Sequence, residues 1–131
     1  MFSANGLPTM SAVLLMFALP LLGQSGASGC NPMTCEERVE ASNDYIWSVI
    51  DENLSCEMSS DCTTVNPGTG CMGACPVPIN LEGVDAVLEA VQYANAIWCE
   101  DFMSDGCPYA TPSCLAFEPI CEAGICAIAP Y

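Results

Sequence analysis

Eleven cysteines and sixteen carboxylates, set against one arginine and no lysine or histidine, carry the chemistry of this 131-residue chain. The missing histidine removes the commonest general base and metal ligand, and the missing lysine removes Schiff-base and P-loop chemistry. No catalytic residue is assigned, and the chain is expected to be a non-enzyme without a cofactor. A net charge of −15 repels phosphate backbones, so nucleic acid is excluded as a partner. A protein or cationic ligand suits that charge. For calcium, which takes six to eight converging oxygens, Asp101-Phe-Met-Ser-Asp105-Gly106 is the nearest approach. It lacks the alternating acidic pattern of an EF-hand and is expected to be a helix end passing into a turn. The methionines 33, 58, 72 and 103 are too dispersed for a copper array, so no metal site is assigned.

The cysteines fall into one and ten. Residues 11–23, SAVLLMFALPLLG, form an apolar run followed by QSGASG and Cys30, the layout of a signal peptide. The run is short of the ~20 residues that span a bilayer as a helix. Ala27-Ser28-Gly29-Cys30 resembles the lipobox of small cysteine-rich bacterial lipoproteins. The resemblance implies that residues 1–29 are removed and that Cys30 is lipidated on sulfur, becoming the N-terminus of a mature domain over 30–131. The partner would then be the membrane, through that lipid, and the address the bacterial cell envelope, with Asn31 compatible with the outer membrane. Parity agrees, because setting Cys30 aside leaves ten cysteines. The alternative is ordinary cleavage after Ala27 or Gly29 and a secreted protein.

The other ten, Cys35, Cys56, Cys62, Cys71, Cys75, Cys99, Cys107, Cys114, Cys121 and Cys126, are expected to form five disulfides in an oxidising compartment. Their connectivity is not readable, since ten cysteines allow about 945 pairings. A bridge from Cys35 or Cys56 to the loop before the second helix is one expectation. Another ties Cys99 or Cys107 to the C-terminal segment. Cys71-Met72-Gly73-Ala74-Cys75-Pro76 resembles the C-x-x-x-C-P motif of thioredoxin-like copper chaperones, which implies thiol-redox or metal-binding chemistry. Surrounding negative charge raises thiol pKa, which favours a structural disulfide instead. Cys56-Glu-Met-Ser-Ser-Asp61-Cys62, with Cys71 and Cys75 after it, is similar to part of the whey-acidic-protein domain. That likeness implies a secreted serine-protease inhibitor of non-trypsin specificity, with an apolar residue such as Met72, Val65 or Val77 entering the enzyme.

The elements that must position these groups can be read from periodicity. Thr34 and Glu37 form a capping-box pattern ahead of a helix over 34–54, with Val39, Ile46, Ile50 and Leu54 on its buried stripe and Val49 beside them. Arg38 has no carboxylate one turn away and is expected at the surface beside some acidic neighbour. Thr63 to Val65 read as a short strand. A second helix is predicted from an Asn80 cap, with Val84, Val87, Leu88, Val91, Trp98 and Phe102 facing the first. Leu115 to Phe117 and Ile125 to Ile128 read as a hairpin around Glu122-Ala123-Gly124. The fold class is a small disulfide-rich α+β domain, two amphipathic helices packed together with a short β-hairpin. Of the aromatic residues Trp47, Trp98, Tyr45, Tyr93 and Tyr109, Trp98 is expected in the core. Tyr45 and Trp47 lie off the first helix's stripe and are the candidate binding anchors.

Overall fold

The computed structural model describes residues 32–129; the leader and Cys30 lie outside the described residues. Helix α1, Cys35–Asp51, begins on the expected capping box, with Thr34 Oγ1 accepting from Glu37 N and Glu37 Oε2 accepting from Thr34 N. It stops three residues short of the predicted end, because Asn53 has other bonds to make. Its amide side chain donates to Val49 O, its backbone N–H donates to Ile50 O, and its carbonyl accepts from Asn80 N.

Helix α2, Val84–Ile97, runs antiparallel to α1, with the end of α1 near the start of α2 and Arg38 near the end of α2. Asn80 caps as expected, but it caps a 3-10 turn over Leu81–Gly83 that precedes the α-helix. Ile46 and Ile50 of α1 meet Val87, Ala90 and Ala94 of α2 in the main core. The inward stripe of α2 is therefore narrower than its large residues imply. Leu88 points outward at 42% exposure, and the small Ala90 and Ala94 are buried in its place.

Phe102 is buried, at 2%, but from an irregular turn beyond α2. The helix ends at Ile97 because the next residues are held elsewhere. Cys99 is bridged to Cys71, while the carbonyls of Trp98 and Glu100 are taken by Arg38.

Two antiparallel two-stranded sheets complete the fold. Strand β1, Cys62–Val65, pairs with β2, Val77–Asn80, from Cys62↔Asn80 to Val65↔Val77. Strand β2 is absent from the sequence reading, where Pro76 and Pro78 hide it. Strand β3, Pro119–Glu122, pairs with β4, Ile125–Ile128, across Ala123 and Gly124. Both turn residues have positive φ, 51° and 79°, the pattern of a tight two-residue hairpin. So short a turn requires the strand immediately before it, which corrects the first hairpin strand from 115–117 to 119–122.

The five bridges are Cys35–Cys107, Cys56–Cys121, Cys62–Cys126, Cys71–Cys99 and Cys75–Cys114. Both expectations about pairing are corrected. Cys35 and Cys56 do not reach the loop before α2, and Cys99 and Cys107 are bonded to Cys71 and Cys35 rather than to the C-terminal segment. Antiparallel helix packing sets the start of α1 beside Cys107, and the 54–56 segment runs alongside β4, with Cys126 N donating to Leu54 O and Cys56 N donating to Gly124 O.

Arg38 is a tertiary clamp rather than a surface side chain. Its Nε donates to Trp98 O at 2.6 Å, one terminal nitrogen donates to Glu100 O, and the other meets Asp105 at 2.8 Å, with the guanidinium 5.1 Å from the Phe102 ring. The Arg38 side chain is 13% exposed and that of Asp105 55%. Arg38→Met should lower stability by about 2–4 kcal/mol, because two carbonyls lose their donor. Asp105→Asn should cost less than ~1 kcal/mol, since the exposed carboxylate is screened by water. Urea unfolding of both variants with bridges intact measures the contrast.

Asp61 closes the turn before β1, its carboxylate accepting from Met58 N and Glu57 N at 2.9 Å each. These bonds hold its pKa below the ordinary value of 3.8, Met58 contributing most. A depressed carboxylate adds stability above its unfolded-state pKa and loses it as pH falls through the folded-state value. Asp61→Asn should therefore flatten the loss of melting temperature below about pH 4, leaving the neutral-pH slope unchanged; melts across pH 2–7 test it.

Candidate functional site

An apolar cleft of about 410 Å³ lies between α1 and two loops. Ile46 and Trp47 line it from α1, Pro67, Met72 and Gly73 from one loop, Val77 from β2, and Ala110 and Pro112 from a second loop. No carboxylate lines it. Its volume lies within the range of small-ligand pockets, ~300–1,000 Å³.

The loops that build it are fastened from within. Thr69 Oγ1 accepts from Cys71 N and Met72 N, Thr69 N donates to Met72 O, and Asn66 Oδ1 accepts from Gly68 N. Asn95 of α2 reaches across to accept from Gly70 N at 2.7 Å. The Cys71–Cys99 and Cys75–Cys114 bridges fix the same loop to its neighbours. Gly73 N donates to Ala110 O, and a Cβ on Gly73 would stand 3.2 Å from that oxygen and from Pro112. Glycine is what permits this wall to close on the loop. A cleft held this way loses little freedom when it is filled.

Trp47, 48% exposed, lies in the cleft; Tyr45, 37% exposed, does not. Two residues along a helix turn by about 200°, so the side chains diverge. Tyr45 packs with Tyr93 and Trp98 at ring distances of 5.0 and 5.7 Å, forming an aromatic cluster on the α2 side. The structure does not bring the two anchors together. Trp98 is half-buried, touching both core clusters.

The sulfur chemistry raised by the sequence has no thiol to work with. Cys71 and Cys75 are bonded to Cys99 and Cys114, not to each other, and among the described residues every cysteine is bridged. The Sγ atoms of Cys56, Cys62 and Cys126 lie within 4.8 Å of one another, but two bridges consume all three. The Asp101–Gly106 segment is a turn, with Asp105 N donating to Asp101 O and the Asp105 carboxylate on Arg38. Of the apolar residues expected to enter a protease, Val65 is buried and Met72 and Val77 are half-buried in the cleft lining. None of them protrudes.

Leu115, expected in the first hairpin strand, stands instead in irregular chain at 82% exposure. Pro112 and Pro119 on either side were the available signal, since proline interrupts strand pairing.

Comparison with known protein families, curated proteins and solved structures gives no match to this chain. The site therefore rests on its own geometry. Acrylamide should quench Trp47 strongly and Trp98 weakly. Trp47→Phe should remove most of the quenchable emission, whereas Trp98→Phe should leave it in place; Stern–Volmer slopes for the two variants check the assignment.

Proposed function

We propose that this chain is a lipid-anchored binding module of the bacterial cell envelope, held by acylated Cys30, whose cleft beside Trp47 receives an apolar group carried by a positively charged protein. The observation that carries the reading is an accounting of groups. The ten cysteines from Cys35 to Cys126 satisfy one another in five bridges, so the eleventh, Cys30, is the sulfur these bridges do not use. Its place after Ala27-Ser28-Gly29 supports acylation. Two or more acyl chains give stable anchoring where a single chain is marginal, at about 0.8 kcal/mol per buried CH₂.

The charge supports the choice of partner. All sixteen Asp and Glu side chains lie between Glu36 and Glu122 in the sequence, and none of them lines the cleft. Glu36, Glu40, Trp47 and Asp51 recur at multiples of nearly one helical turn along α1, so acidic groups border the Trp47 side of the cleft. Such a surface attracts cations at long range and excludes acidic competitors, and the apolar floor supplies the short-range contact. The module needs no catalytic group for this role.

Intact mass spectrometry of the membrane-extracted protein tests the anchor. The expected species begins at an acylated Cys30 and yields ten thiols on reduction, and Cys30→Ser should leave the membrane fraction. An unacylated chain beginning at Ser28 or Cys30 overturns the anchored reading. For the cleft, a synthetic peptide alternating Leu and Arg should shift Trp47 emission saturably, and its Leu-Glu counterpart should not. Equal response to both peptides overturns the charge argument.

A further inference from the structure

We propose that the Trp47 cleft and the hollow beside it take a proline-rich segment of the partner in the polyproline II conformation, one proline against Trp47 and another, three residues along, against Tyr109. This rests on the cleft's role as the partner's receptor and names the group that enters it.

A second hollow, of about 490 Å³, adjoins the cleft, and Gly73, Ala74, Thr111 and Pro112 border both. These shared residues form a ridge, with Trp47 on one side and Tyr109 on the other. Both aromatic residues are about half-exposed, and each offers a flat apolar face with a single hydrogen-bond donor at its edge.

The backbone of the intervening loop decides how a chain can lie there. Every backbone N–H along 68–73 already donates within the protein, to Asn66, Thr69, Met72, Asn95 or Ala110. Pro67 has none. The loop therefore cannot act as a sheet edge, because a β-ladder needs N–H groups as well as carbonyls. A strand laid against it would leave its own buried carbonyls without donors, which is costly. Polyproline II needs no ladder and places every third residue on the same side, about 9 Å apart. Its prolines bring no N–H, and its carbonyls can accept from the Trp47 indole and the Tyr109 hydroxyl.

Charge fixes what flanks the prolines. Glu40, Asn43, Trp47 and Asp51 follow one another along α1 at steps of three and four residues, so they share a face. Asn43 and Trp47 line the cleft, and the exposed Glu40 and Asp51 stand before and after them on the helix. Basic residues on either side of the prolines complement these carboxylates. A neutral glycan would gain nothing from that charge, and a lining of Pro67, Met72 and Val77 gives its hydroxyls no partner. A polyproline II segment is stiff before it binds, as the loop is, so little freedom is lost on either side.

Calorimetric titration of the purified oxidised chain with synthetic peptides tests the assignment. Arg-Ala-Pro-Ala-Ala-Pro-Ala-Arg should bind saturably and shift Trp47 emission. Its affinity should exceed by roughly 10-fold that of a peptide with the prolines two apart, and that of one with alanine at both positions, the worth of one well-packed ring. Replacing both arginines by glutamate should abolish binding. Tyr109→Ala should weaken the first peptide about 10-fold, and Tyr109→Phe, which keeps the ring, should weaken it less. Near-ultraviolet circular dichroism checks that both variants are folded. Equal affinity for the first three peptides, indifference to Tyr109→Ala, or saturation by a neutral chito-oligosaccharide in the peptide's place overturns the proposal. A response to the alternating Leu-Arg peptide without one to the proline peptide overturns it too, but leaves the cleft as a receptor for an apolar group. Silence toward both removes the two together.

Discussion

Three bridges, Cys35–Cys107, Cys56–Cys121 and Cys62–Cys126, close spans of 64 to 72 residues and so join the first third of the domain to its last third. In the chain-entropy account, loops of that size are each worth roughly 4 kcal/mol, chiefly through the unfolded chain. The contribution matters because the seven-residue main core is small and the surface carries almost uncompensated negative charge. Self-repulsion opposes compaction at every pH where the carboxylates are ionised. The other two bridges close 28 and 39 residues and hold a loop that lines the cleft. The cross-links thus divide between those that establish the architecture and those that stiffen a surface.

Arg38 complements them without a covalent bond. The domain's single cation does not serve as a surface counter-ion for sixteen anions. It reaches the C-terminal end of α2, where unpaired carbonyls and the negative end of the helix dipole gather. Phe102 lies beneath the guanidinium, and Asp105 closes the outer side. The turn after α2 is thereby fixed between Arg38 and the Cys35–Cys107 bridge. With that turn held, Cys99 meets Cys71 and Asn95 meets Gly70, so the clamp and the cleft are parts of one chain of contacts.

A surface of this kind suits recognition by preformed shape. Its cleft combines one tryptophan with prolines, a glycine-spaced wall and a disulfide, all groups of low conformational entropy. Its other projecting feature is a short irregular segment held at both ends. The cleft lining carries no carboxylate, and every cysteine among the described residues is bridged.

Local rules reached as far as residues that interact with near neighbours in sequence. The Thr34–Glu37 capping box, the Ile46 and Ile50 stripe, the Asn80 cap and the tight turn at Ala123-Gly124 depend on contacts within about one helical turn or one hairpin, and the ten cysteines left once Cys30 is set aside called for five bridges. The sequence did not disclose which sulfurs would meet, that Arg38 would leave the surface, or that Phe102 would enter the core from a turn. Those outcomes join residues 28 to 72 positions apart, and they follow from the antiparallel seating of α1 on α2, a geometry set by which small residues let the helices close together. Periodicity can identify a face, but the partner of that face is chosen only when the whole chain packs.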